Sequence, residues 1–82
     1  MKFPSEEEIR SRLVTQVLNA RKRKSWTQQA LAARAKVPRS YIADLEGARR
    51  NPSLRILLRI SNTLGMPVHQ LFLESTDCPP KT

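Results

Sequence analysis

The sequence predicts an all-α domain, and two observations carry the prediction. Between Thr27 and Glu46 the apolar residues keep helical spacing on either side of a break. Leu31 and Ala35 lie four apart, Ile42 and Leu45 three apart, and Lys36-Val37-Pro38 stands between them. The same spacing continues outside that stretch, through Ile9, Leu13, Gln16, Val17 and Ala20 before it and through Leu54, Leu57, Ile60, Ser61 and Leu64 after it. Two helices as short as the central pair are marginal alone, so the flanking helices are read as their support.

Residues 1–8 form an N-terminal segment and helix start, 9–73 the folded domain and 74–82 a tail with few apolar residues. Ser5 caps the first helix, with Glu8 three residues on as a capping-box partner, and Glu6, Glu7 and Glu8 face the positive end of the dipole. That helix runs to about Lys24, where Arg21-Lys22-Arg23-Lys24 suits the negative end. Val14 and Leu18 make a second stripe on it. They form either a partner surface or cover for Phe3, Trp26 or the tail. Thr27 caps the second helix, which runs to about Ala35. Ala32 sits where two backbones come closest, and Val37 points inward from the corner. Pro38 has no N–H and ends helical geometry before it, yet suits the first turn of the next helix. The third helix is therefore Arg39 to Glu46, with Gly47 as its C-terminal cap. Ser53 caps the fourth helix, which Gly65-Met66-Pro67 stops. Ile56 and Leu58 fall outside its inward face, exposed or at an interface. Val68 to Leu73 is a last short helix.

What is missing argues against catalysis, and no enzyme is expected. His69 is the sole histidine, Cys78 the sole cysteine, and the two glycines punctuate helices. There is no nucleophile with a base, no zinc-ligand spacing, no phosphate-gripping loop and no cofactor motif. A lone cysteine forbids an internal disulfide, and neither a signal peptide nor a membrane-length run is present, so the expected compartment is the cytoplasm. The charge balance points to a partner. Lys and Arg number 15 against 7 acids, and from Arg10 to Arg59 only Asp44 and Glu46 oppose 13 basic residues. A basic middle on a folded domain favours nucleic acid.

The residues Trp26-Thr27-Gln28, Leu31-Ala32, Val37, Tyr41-Ile42, Leu45-Glu46-Gly47, Asn51-Pro52-Ser53-Leu54 and Leu64-Gly65 carry a resemblance. Together they resemble the Cro-type (lambda-repressor-like) helix-turn-helix family, over about residues 12 to 73. The resemblance implies a five-helix DNA-binding fold whose third helix enters the major groove. It implies base contacts from Arg39, Ser40 and Asp44. Arg39 suits guanine, and Asp44 can accept only from a base amino group or else orient a basic neighbour. It further implies a structural salt bridge between Arg21 and Glu46, and a dimer surface at Met66, Val68, His69, Phe72 and Leu73. One departure is Lys36, where the family usually carries glycine and a left-handed backbone is needed.

Phosphate contacts are expected from Gln28 and Gln29 at the opening of the second helix, from Tyr41, from Arg49, Arg50 and Asn51 after the third, and from Arg55 in the first turn of the fourth. Lys22, Arg23, Lys24, Arg34 and Lys36 read more simply as a solvated face. Trp26 is core or a base-stacking residue. The function expected is a sequence-specific regulator binding double-stranded DNA as a homodimer on a palindromic operator, with RNA polymerase a further partner if it activates. No second domain is seen, which suits a stand-alone autoregulator such as a restriction–modification controller or a phage repressor. The alternative is an antitoxin-type protein-binding module that also binds its own promoter. No metal is expected.

Overall fold

In the computed structural model, which describes residues 3–74, the chain forms four α-helices and one 3-10 helix, with no strand among the described residues. They are α1 (Glu6–Arg23), α2 (Gln28–Ala35), α3 (Arg39–Glu46), α4 (Leu54–Leu64) and the 3-10 helix Val68–Phe72. Three starts are set by hydroxyl caps. Ser5 accepts from the Glu8 N–H at 3.1 Å, Thr27 from Ala30 at 3.0 Å and Ser53 from Ile56 at 3.3 Å. Pro38 occupies the N-cap of α3 in extended geometry, one residue before the first turn expected for it.

The helices pack around one core. Val17, Leu31, Ile42, Leu45, Ile60 and Leu71 have no exposed surface, and Leu13, Ala20, Ala32, Ala35, Val37, Leu57 and Leu64 complete it. Each large aliphatic side chain so buried contributes about 1.5–3 kcal/mol. Val37 reaches this core from the corner between α2 and α3. α2 and α3 pack on each other, α1 lies against α3 and the 3-10 helix, and α4 closes the other side of α2.

Several expectations need correction. The last short helix ends one residue early, at Phe72, and is a 3-10 helix. Gln70 donates to the Pro67 carbonyl at 3.0 Å and Leu73 to Gln70 at 3.2 Å, both three residues apart. Leu71 is its one fully buried side chain, with Val68 and Phe72 packed partly buried against the core. Leu54 is 65% exposed. It stands in the first turn of α4. Ile9 is half-buried, while Asn19, a polar residue outside the expected stripe, is buried.

Gly47 follows α3 but keeps φ −86°; the left-handed residue is Ala48, at φ 59°. The Ala48 N–H donates to Leu45 and the Arg49 N–H to Asp44, the paired bonds of a Schellman turn. The same turn ends the other three helices, with Ser25, Lys36 and Gly65 left-handed. Only Gly65 adopts that geometry without a Cβ penalty. For the others the penalty is about 1–2 kcal/mol, against about 0.4–1 kcal/mol that glycine loses through the freer unfolded chain. Ala48→Gly and Lys36→Gly are each expected to stabilise the domain by about 0.5–1 kcal/mol. Urea unfolding checks this, and no gain at either site would mean that the turns hold their Cβ atoms without strain.

Candidate nucleic-acid interface

The site begins from what α3 buries. Ile42 and Leu45 are seated on the core, so Arg39 and Ser40 are exposed on the opposite side, with Tyr41, Ala43 and Asp44 partly exposed. The rod is held at its far end by charge. Arg21, from α1, donates through Nε to Glu46 Oε2 at 2.7 Å and through Nη2 to Glu46 Oε1 at 3.0 Å. Its remaining Nη1 donates to the Trp26 carbonyl at 2.6 Å. The two side chains are 12% and 6% exposed, so this bidentate pair is internal.

The arrangement continues toward the exposed end of α3. Gln28 Nε2 donates to Glu46 Oε1 at 3.0 Å, and Arg39 Nη1 donates to Gln28 Oε1 at 3.4 Å. The Gln28 amide is thus placed between Glu46 and Arg39, its acceptor oxygen fixed by the bond its NH2 makes. Its side chain bonds protein through both its nitrogen and its oxygen, Gln29 beside it is exposed, and the first-turn N–H groups of Gln28 and Gln29 have no partner within the helix.

Asp44 meets neither Arg39 nor open solvent alone. Its two oxygens lie 3.4 Å from Arg49 Nη2 and 3.6 Å from Arg50 Nη2. The Arg50 guanidinium also lies over the Tyr41 ring at 4.6 Å. Arg49, Arg50, Asn51 and Arg55 are all exposed, following α3 and opening α4. Lys22, Arg23, Lys24, Arg34 and Lys36 are exposed as well, and two of them cover Trp26: Arg34 at 4.5 Å and Lys24 at 5.3 Å from its ring. Trp26 itself is half-buried against the core.

A helix-turn-helix family model matches residues 17–71. The chain belongs to the helix-turn-helix family. Its helix-turn-helix is α2, the Lys36–Pro38 corner and α3. The chain is 43% identical over 56 residues to the immunity repressor protein of Bacillus phage phi105, a match over 68% of this chain and 39% of that protein. It is 30% identical over 71 residues to a Neisseria hypothetical transcription factor from Neisseria meningitidis serogroup B, covering 87% of this chain and 67% of that one. Two solved structures share the helix-turn-helix architecture. The hypothetical transcription factor NHTF from Neisseria superposes with a TM-score of 0.79 at 29% identity, over 96% of this chain and 83% of that one. The restriction-modification controller protein C.AhdI from Aeromonas hydrophila superposes with a TM-score of 0.73 at 25% identity, over 83% of this chain and 100% of that one.

The residues marked for a dimer surface divide in two. Met66, Val68 and Phe72 are half-buried against the domain's own core, while His69 and Leu73 are exposed. Exposed Leu58, on α4, was left without a place by the helical pattern and shares this exposure. The end of the described chain is fixed on α1. Gln16 Nε2 donates to the Leu73 carbonyl at 2.8 Å, and Arg12 pairs with Glu74 at 3.0 Å. The tail expected from residue 74 lies, beyond Glu74, outside the described residues, as does Cys78. Among the described residues no helix is long and apolar enough to cross a membrane, and no three His, Cys, Asp or Glu side chains are grouped to hold a metal.

Proposed function

We propose that the protein is a transcriptional regulator that binds double-stranded DNA sequence-specifically, as a homodimer on a palindromic operator in the cytoplasm. The observation that carries this reading is the outward side of α3: Arg39 and Ser40 exposed on a helix whose underside is fully buried, with Arg49 and Arg50 beside it. A major groove about 12 Å wide admits such a helix. Arg39 and Ser40 read base edges there, while Arg49, Arg50, Asn51, Arg55 and the first turn of α2 hold phosphates on either side. The named relatives, a phage immunity repressor, a hypothetical transcription factor and a restriction-modification controller protein, support a regulator over an enzyme.

One eight-residue helix touches few base pairs. A dimer doubles the site, and two half-sites then stand about one turn, roughly 34 Å, apart. Of the expected dimer surface, His69 and Leu73 at the C-terminal end are exposed, which leaves them accessible to a second copy. Selection of bound duplexes from a random pool tests the whole reading. An inverted repeat with turn-length spacing is expected; a pool that stays random, or a lone unrepeated half-site, would refute specificity or dimeric reading respectively.

Arg50→Ala separates phosphate from base roles. Replacing a phosphate contact weakens selected and unselected duplexes alike and lowers the slope of log affinity against log salt by about 1 per site. Loss confined to the selected sequence would instead place Arg50 on a base.

A further inference from the structure

Asp44 is the acid on the outward side of α3, and it is shared by two arginines. The Schellman turn at Ala48 folds the following loop back over the helix end, and this brings Arg49 and Arg50 to its two oxygens at 3.4 and 3.6 Å. A carboxylate gripped by two guanidiniums presents to them what a DNA phosphate would: two oxygens and a negative charge. Arg50 is also kept near the groove side of α3 by the Tyr41 ring. The pairing is open to exchange. The distances are long for ion pairs, and the side chains are 36% exposed for Asp44, 65% for Arg49 and 46% for Arg50. Pairs of this kind are screened by water and weak, while a duplex offers one charge per about 1.7 Å.

When the arginines move to phosphates, Asp44 is left beside the groove without a partner. Major-groove edges then differ in what they offer it. The amino groups of cytosine and adenine donate; guanine O6 and N7 and thymine O4 are acceptors and leave the carboxylate unpaired. Resting on the DNA-binding reading above, we propose that Asp44 is a specificity-determining residue that works by partner exchange. It holds Arg49 and Arg50 in the free protein as an internal substitute for phosphate, and gives them up with little loss only where the groove supplies a base amino group in their place.

The test uses the isosteric change Asp44→Asn, which keeps an acceptor oxygen and removes the charge. Affinities are measured by fluorescence anisotropy at one salt concentration, on a random-sequence duplex and on the duplex selected as above. Two surface pairs, each up to about fivefold in an equilibrium constant, set the scale. Asp44→Asn is expected to bind the random duplex about tenfold tighter and the selected duplex within about threefold of the parent, so that discrimination falls. With Arg49→Ala and Arg50→Ala already present, the gain on the random duplex is expected to shrink below about threefold. An equal gain on both duplexes, or a gain that survives in full without the two arginines, would show a general charge effect and overturn the exchange. No gain on the random duplex overturns it as well. A parent protein that binds neither duplex would remove the DNA-binding reading, and the exchange with it; a parent that binds both while Asp44→Asn changes nothing removes the exchange alone.

Discussion

Glu46→Ala is expected to lower the unfolding free energy by about 3–5 kcal/mol. The pair it breaks is internal, with Arg21 12% and Glu46 6% exposed. The truncation removes two short charge-assisted bonds and leaves the Arg21 guanidinium buried, with only the Trp26 carbonyl still fixed as its partner. The penalty for that orphaned charge outweighs the modest net gain of the intact pair. For a domain of this size each kcal/mol moves the melting temperature by about 4–8 °C, so the transition is expected to fall by roughly 12 °C or more. Thermal and urea unfolding followed by circular dichroism measure it. Replacing both partners, Arg21→Met with Glu46→Leu, is expected to recover most of the loss, because an apolar pair leaves no charge uncompensated. A loss below about 1 kcal/mol for Glu46→Ala would instead mean that the pair behaves like a surface contact.

The same variant separates stability from function. In the double replacement the core is restored but the Gln28 amide loses the Glu46 oxygen that orients it. Its acceptor oxygen is what Arg39 leans on. The fold then returns to near parental stability while the aim of Arg39 does not, so stability and DNA binding are expected to part company in one protein.

How far residues alone reveal this molecule depends on the range of the forces involved. Helix starts are local: a hydroxyl at Ser5, Thr27 or Ser53 bonds an N–H three residues away, and sequence shows both partners. The boundaries of α3 follow from Pro38 and from the break after Glu46 for the same reason. Helix ends were less readable. Glycine marks the left-handed residue at Gly65, and the family resemblance marks it at Lys36, but nothing in the residue types marks Ser25 or Ala48, where the paired backbone bonds of the turn hold an exposed Cβ in left-handed geometry. Gly47 in particular drew attention to the position before the one that matters. Burial at the edges was also hidden. Leu54 has the right period yet is 65% exposed, and Asn19 is polar yet covered, so a pattern built on apolar spacing misplaces both. At the site, the outward position of Arg39 and Ser40 follows from Ile42 and Leu45 by helical geometry. The pairing of Asp44 does not, since Arg49 and Arg50 reach it only through the turn at Ala48, whose geometry no residue there announces.

Arg39→Ala is expected to weaken binding to the selected duplex by about 1–3 kcal/mol and to relax preference at one base pair of each half-site, guanine being the base most suited to a guanidinium. The effect is large because Arg39 is positioned before DNA arrives. Its Nη1 rests 3.4 Å from Gln28 Oε1, and Gln28 is held in turn by Glu46. A side chain already near its working geometry loses less freedom on binding, so more of its hydrogen-bond energy appears as affinity. Arg39→Lys tests whether geometry or charge is responsible. Lysine keeps the charge and the electrostatic attraction to the duplex but cannot form two parallel bonds to one base edge. It is expected to bind unselected DNA like the parent and to lose most of the preference that alanine loses. Gln28→Ala should fall between the parent and Arg39→Ala: the guanidinium remains, but its orienting acceptor is gone, and the loss is expected on the selected duplex more than on random sequence. These are read by repeating the selection with each variant and comparing base preferences across the half-site. An unchanged preference with both Arg39→Ala and Arg39→Lys would mean that the outward end of α3 does not face base pairs, and the residues that read the operator would then have to be sought on another surface.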